Sequence, residues 1–171
     1  MRPLAALVAV ACGLLVGCGS DAPTESQTHV VTATDFRFDG VPAAMAAGDR
    51  IELRNESETE IHEFVAFRLA DDDTRTIAEL VALAPDELLG LVGPEPAAVL
   101  LAAPGGETIA TVGDGTIDEP GRYGVICVIP TGVDPGEYLA AAAESEGGPP
   151  DITGGPPHIA AGMFAEFTVE G

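Results

Sequence analysis

The stretches G-R-Y-G-V-I-C-V-I at residues 121–129 and H-I-A-A-G-M-F-A-E-F-T-V at residues 158–169 set the pattern for the whole chain. Each contains a short run rich in β-branched and aromatic residues, and Gly or Pro lies close by, as is typical of strands that end in turns. The first run leads to Cys127, while His158 and Met163 come just before the second run. The sequence therefore predicts two strands with polarisable side chains at their ends.

The rest of the chain repeats this alternation of short strands and turns. Further strands are predicted at residues 30–38, 50–54, 60–69, 97–102 and 107–112, the last two forming a hairpin. Residues 74–92 differ, because their apolar side chains recur at helical spacing and Pro85 marks a second helix start. About seven strands and one short helical insertion predict an all-β fold, a Greek-key β-sandwich.

Composition limits the classes of partner. The chain has 171 residues, with 28 acidic residues against 7 basic ones, and a net charge of −21. Because phosphate recognition depends on clustered Lys and Arg, this charge excludes nucleic acid as a natural partner. Apolar residues make up 46% of the chain, which excludes a disordered acidic polymer. These numbers predict a single acidic globular domain.

The amino terminus has the pattern of an export signal. A short positive start is followed by an apolar run at residues 4–16, which is too short to span a bilayer but fits the core of a signal peptide. The run ends in L-V-G-C at residues 15–18, which resembles the bacterial lipoprotein box. We therefore predict a signal peptide at residues 1–17, with lipidation of Cys18. The alternative is an ordinary signal peptide with an incidental cysteine.

This interpretation places the mature protein outside the cytoplasm. Residues 18–28 would be a lipidated tether and residues 29–171 the folded domain, containing the helical insertion and a long loop at residues 128–157. The protein would be anchored by lipid alone to the bacterial cell membrane, without crossing it. We expect a monomer.

The cysteine count then falls from three to one. Cys12 leaves with the signal, Cys18 carries the lipid, and Cys127 remains in an oxidising compartment. Cys127 could be a buried small hydrophobe or a metal ligand. A disulfide between Cys18 and Cys127 is a further alternative, which lipidation of Cys18 would forbid.

Four side chains together suggest a metal site. Two imidazoles, one thiolate and one thioether form the soft mixed ligand set that copper prefers, with His and Cys in a plane and Met as a weak axial ligand. Each residue alone is weak evidence, since a single His or Met is usually a core or surface residue. The candidates are His62, Cys127, His158 and Met163.

These motifs resemble the cupredoxins, the plastocyanin- and azurin-like family of type 1 (blue) copper proteins. The resemblance rests on N-x(6)-H-E-F at residues 55–64, Y-G-V-I-C at 123–127, the segment at 155–169 and the opening T-D-F-R-F at 34–38. It covers roughly residues 28–70 and 107–171. It implies a Greek-key sandwich, one type 1 copper bound by the four candidates above, and one-electron transfer rather than enzymatic turnover.

The sequence departs from that family at one place. In plastocyanin-like members the Cys, the second His and the Met share one short loop, whereas 30 residues separate Cys127 from His158 here. Twelve of these residues are Gly or Pro, which suggests an excursion rather than additional sheet. Because a tenfold longer loop costs only about 2 kcal/mol in closure free energy, we expect the ligands to meet at its base.

The leading functional interpretation is a membrane-anchored copper protein that carries single electrons. The alternative is a copper storage or delivery protein, or a metal-free envelope binding module on the same fold. An apolar rim at residues 156–162, where His158 would approach solvent, is the predicted docking surface for a redox partner. The acidic surface would favour a basic partner. Asn55 or a backbone carbonyl is a candidate for orienting the His rings.

Overall fold

Two sheets face each other in the computed structural model, which describes residues 25–92, 95–145 and 150–171. The strands that form these sheets are β1 (Thr28–Thr34), β2 (Arg37–Asp39), β3 (Ala44–Ala46), β4 (Asp49–Asn55), β5 (His62–Arg68), β6 (Ala98–Ala102), β7 (Ile109–Val112), β8 (Thr116–Ile117), β9 (Gly121–Ile126) and β10 (Phe164–Glu170). The predicted signal peptide, Cys18 and most of the predicted tether lie outside the described residues.

The strand order confirms the predicted β-sandwich. One sheet has the order β2-β1-β4-β8 and the other the order β3-β10-β9-β5-β6-β7. Strands β1 and β4 are parallel, as are β3 and β10, while the remaining pairs are antiparallel. Because β5 pairs with β9 and β1 with β4, strands distant in sequence lie side by side, as a Greek-key sandwich requires.

Aromatic side chains fill the space between the sheets. The Tyr123 and Phe167 rings, from neighbouring strands, stack with centroids 5.2 Å apart, and Phe64 packs beside Phe167 at 6.5 Å. All three side chains are almost fully buried. This core fixes the six-stranded sheet, whose central strands β5 and β9 lead to two of the candidate ligands.

The helical insertion covers the outer face of the six-stranded sheet. It forms α1 (Ile77–Leu80), which begins with a capping box between Thr76 and Glu79, and α2 (Pro85–Val92). Apolar side chains of both helices pack against Val65, Phe67 and Ile126. Strand β5 is therefore buried on both faces, which agrees with the unbroken apolar run at its centre, residues 64–67.

The structure differs from the strand predictions in three places. The strand predicted at 30–38 is divided into β1 and β2 by a turn at Asp35 and Phe36. The strand predicted at 121–129 ends at Ile126, because the carbonyl groups of Cys127 and Ile129 bond to a different segment. Strands β3 and β8 were not predicted, since two or three residues are too few to show an alternating pattern.

A third helix lies in the long loop. This helix, α3, spans Pro135–Glu144. It starts at Pro135 because Asp134 accepts a hydrogen bond from the Glu137 N–H and Pro135 occupies the first helical position. Within the described ranges, no helix has the length and apolar character needed to cross a membrane.

Candidate metal centre

Three of the four predicted ligands meet at one end of the sandwich. The Nδ1 atoms of His62 and His158 lie 3.2 Å apart, and Cys127 Sγ lies 3.3 Å from His158 Nδ1. All three ligand atoms are within 4.8 Å of one another. The three residues are 0% exposed. The result is a compact, dry set of two nitrogens and one sulfur.

Neighbouring strands place the first His and the Cys. His62 is the first residue of β5, and Cys127 directly follows β9. These strands pair antiparallel with Val65 opposite Ile126, so the start of one strand lies beside the end of the other. The Glu63 N–H then lies 3.4 Å from Cys127 Sγ and donates to it. The sheet therefore fixes both ligands through its backbone.

A short paired segment brings His158 to Cys127. We call it the neck; it consists of residues 127–131 and residues 155–159. The His158 N–H donates to the Ile129 carbonyl at 2.9 Å and the Ile159 N–H to the Cys127 carbonyl at 2.8 Å. Further along, the Thr131 N–H donates to the Pro156 carbonyl and the Gly155 N–H to the Thr131 carbonyl. The neck closes the excursion at its base, so the 30-residue separation does not displace the ligands.

Met163 is adjacent to this set through the backbone. Its N–H donates to the His158 carbonyl, and its carbonyl accepts from the Cys127 N–H, both at 3.2 Å. The side chain is 0% exposed. His158 and Met163 are linked by a 3-10 turn at His158–Ala161, which ends at Gly162 with a φ of 103°. Ligation by the Met163 thioether stays a prediction.

Burial sets the protonation of the three ligands. Desolvation lowers the pKa of His62 to about 4, and the charge of His158 acts in the same direction. Burial also lowers the pKa of His158. Both imidazoles are therefore neutral at pH 7, the form that binds metals. Burial raises the pKa of the Cys127 thiol well above its ordinary value, so a thiolate there requires a compensating cation.

Glu60 and Asn55 organise the loop that leads to His62. Glu60 Oε2 lies 3.2 Å from His158 Nε2, a contact that the sequence did not indicate. Asn55, which was predicted to orient a ring, bonds to backbone instead: its Nδ2 donates to the carbonyls of Glu60 and Ala102. His62 Nε2 is buried and, in the part of the chain that the structure describes, has no hydrogen-bond partner.

Glu63 is a second acidic residue that the sequence did not single out. It is 5% exposed, and its carboxyl oxygens accept from the Val128 N–H at 2.9 Å and the Tyr138 hydroxyl at 3.3 Å. Burial raises the pKa of Glu63 to about 7, although both hydrogen bonds act to lower it. Through Tyr138, helix α3 is attached to the strand that begins with His62.

Phe36 covers the outer side of His158. Its φ of 63° lies in the left-handed region that non-glycine residues rarely adopt. The ring meets the His158 imidazole edge-on, with centroids 5.0 Å apart. The prediction that His158 approaches solvent is therefore wrong, because its side chain is fully buried. The exposed apolar residues of the predicted rim surround it instead: Pro156, Pro157, Ala160 and Ala161.

The two sheets and the enclosed His–Cys–His set define a β-sandwich with a buried site of two imidazoles and one thiol, a set of residue types that fits a single type 1 copper ion. The ligand types match that ion, their atoms converge, and a thiolate at the buried Cys127 would be stabilised by a cation. No protein-family model matches the sequence, and no curated protein matches it either.

Solved structures whose overall fold is similar include three auracyanins. Reduced auracyanin from Roseiflexus castenholzii is 19% identical, with 85% of this chain and 98% of that chain covered and a TM-score of 0.48. Auracyanin B is 19% identical, with coverage of 88% and 93% and a TM-score of 0.42. Auracyanin A from Chloroflexus aurantiacus, described as a "blue" copper protein, is 14% identical, with coverage of 84% and 98% and a TM-score of 0.42.

Proposed function

We propose that this protein binds one copper ion at His62, Cys127 and His158 and carries single electrons through it. The observation that carries the proposal is the convergence of two imidazole nitrogens and one thiol sulfur in a site closed to solvent. Copper bound to such a set supplies a one-electron couple between Cu(I) and Cu(II). The protein would be a carrier rather than an enzyme.

The surrounding residues hold the ligands in one geometry. Strand pairing fixes His62 and Cys127, and the neck fixes His158 relative to Cys127. Ligands held in this way need little rearrangement when the charge of the site changes, which favours electron transfer. The same enclosure does not favour storage or delivery, because release of an ion would require the site to open.

The axial ligand is assigned to Met163 as part of the proposal. Its backbone bonds to Cys127 and His158 place the residue next to the three converging ligands. Its side chain is buried, so the thioether is kept from water. A weak axial thioether is the usual fourth partner of a His2Cys copper set.

The location of the protein is also a proposal. A signal peptide at residues 1–17 and lipidation of Cys18 would place the domain outside the cytoplasm, anchored by lipid to the cell membrane. Support comes from the apolar run and the L-V-G-C motif at residues 15–18.

Globomycin, which blocks lipoprotein signal peptidase, is expected to leave the larger precursor in the membrane. Normal processing, or a Cys18→Ala protein that stays lipidated, would contradict this assignment.

The copper site is tested by adding Cu(II) to the purified protein. We expect one equivalent to produce an intense visible band, because charge transfer from the thiolate of Cys127 to Cu(II) absorbs strongly. Cys127→Ala should lose this band, and His29→Ala is the control, because His29 lies on β1 and its imidazole contacts Asp49 rather than the three converging side chains. A colourless wild-type protein, or a band that survives in Cys127→Ala, would overturn the proposed function.

A redox partner is proposed to dock on the rim formed by Pro156, Pro157, Ala160 and Ala161. We expect Ala161→Arg to slow electron exchange with a basic protein such as cytochrome c about tenfold, because a like charge at the docking surface repels the partner and opposes docking. The visible band should be unchanged. The matched control is Ala44→Arg, which adds the same charge on β3, beside the far end of β10. Equal rates in both variants would exclude this surface.

A further inference from the structure

We propose that Glu60 is a positioning residue: its carboxylate holds the His158 ring with Nδ1 free for the metal and makes that ring the stronger of the two imidazole donors. The inference rests on the proposed copper site. It concerns a side chain that lies before β5, outside the four predicted ligands.

The geometry determines which nitrogen of His158 carries the proton. Glu60 Oε2 lies 3.2 Å from His158 Nε2. A carboxylate only accepts hydrogen bonds, so Nε2 must be the protonated nitrogen that donates to it. The other ring nitrogen, Nδ1, then keeps its lone pair. That nitrogen faces Cys127 Sγ at 3.3 Å and His62 Nδ1 at 3.2 Å. Glu60 thus selects the tautomer that a metal ion requires.

Glu60 is itself held on several sides. Its N–H donates to Ser57 Oγ at 3.1 Å, and its carbonyl accepts from Asn55 Nδ2 at 2.8 Å. The carboxylate also accepts from the Gly132 N–H at 3.1 Å. The side chain is 15% exposed and the His158 side chain 0% exposed. The contact is therefore fixed at both ends and largely shielded from water.

The two imidazoles are consequently unequal. His158 has a carboxylate partner, whereas His62 Nε2 has no partner within the described residues. A carboxylate that accepts the N–H of a ligating imidazole increases the basicity of the ring. A more basic nitrogen stabilises Cu(II) relative to Cu(I). The negative charge of Glu60 should therefore lower the reduction potential of the centre.

Two substitutions separate charge from orientation. Glu60→Gln keeps the size and an acceptor oxygen but removes the charge, so the visible band should remain while the potential rises. Mutating the hydrogen-bond partner of a metal ligand typically weakens metal binding at least about tenfold. If Cu(II) binding weakens tenfold relative to Cu(I) binding, the reduction potential rises by about 59 mV. Glu60→Ala also removes the acceptor, and Cu(II) affinity should fall about 10- to 100-fold with a changed EPR spectrum.

Glu58→Gln is the matched control. Glu58 is exposed on the same loop, so the substitution removes the same charge two residues away. Because exposed charges are screened by salt, the reduction potential of the Glu58→Gln variant should equal that of the wild type at about 0.15 M ionic strength. If Glu58→Gln and Glu60→Gln shift the potential equally, or if neither does, the role proposed for Glu60 is overturned.

Nitrogen NMR of the metal-free protein provides a readout that does not need copper. We expect His158 to be protonated at Nε2 in the wild type and to lose this preference in Glu60→Ala. A wild-type His158 protonated at Nδ1 would overturn the inference. If the wild type binds no copper but shows the expected tautomer, the proposed function fails while the positioning of His158 by Glu60 stands.

Discussion

Replacing Asn55 by alanine is expected to lower the free energy of unfolding by about 3 kcal/mol, because three backbone groups lose their partner at once. Asn55 is 1% exposed. Its Nδ2 donates to the carbonyls of Glu60 and Ala102, at 2.8 and 2.9 Å, and its Oδ1 accepts from the Ser57 N–H at 2.8 Å.

The same substitution should weaken the metal centre. The loop at residues 55–60 carries Glu60 and leads directly to His62, so its loosening affects both imidazole ligands. We expect urea denaturation of the metal-free protein to show the loss of stability and a Cu(II) titration to show lower affinity. Asn55→Asp should also destabilise, because it places a carboxylate oxygen against two carbonyls.

Glu56→Ala is the control for that loop. Glu56 is exposed, and surface substitutions of this kind usually change stability by about 0.5 kcal/mol or less. A loss below about 1 kcal/mol in Asn55→Ala would show that the three hydrogen bonds do not hold the loop.

Met163→Ala is expected to destabilise the metal-free protein by about 2–5 kcal/mol, because it leaves a cavity at a fully buried position. The side chain is 0% exposed and belongs to the core between the sheets. Thermal or chemical denaturation without copper measures this packing contribution alone.

Met163→Leu separates packing from ligation. Leu has nearly the same volume, so the cost in stability should stay below about 1.5 kcal/mol. It has no sulfur, however, and loss of a thioether ligand should raise the reduction potential, since the axial ligand tunes it. The visible band from Cys127 should persist. An unchanged potential in Met163→Leu would show that this residue is only a core side chain.

The sequence was sufficient to predict the sandwich and the strands on which His62 and Cys127 lie. Alternating residues in β4 and the apolar run of β5 reflect burial directly, so these strands could be predicted. His62 and Cys127 lie two residues inside the ends of the strands predicted at 60–69 and 121–129, whereas in the structure they lie at the start of β5 and directly after β9. The division of the first strand at Phe36 could not be predicted, because a left-handed φ at a phenylalanine has no signal in the sequence.

The remaining parts of the centre depend on contacts between distant segments. The neck pairs backbone groups on either side of the excursion, and residues such as Thr131 and Pro156 have no strand-like pattern around them. Glu60 is one of 28 acidic residues, and composition gives no reason to prefer it. Only the folded geometry shows that its carboxylate reaches His158.

The cover that Phe36 forms over His158 also insulates the centre. A small oxidant, a thiol or a chelator has no direct path to the ligands, since all three converging side chains are enclosed. Such molecules reach the site only when the turn at Phe36 or the neck opens transiently. The lifetime of the reduced state in air, and the rate of copper loss to a chelator, would then measure how often this end of the protein fluctuates.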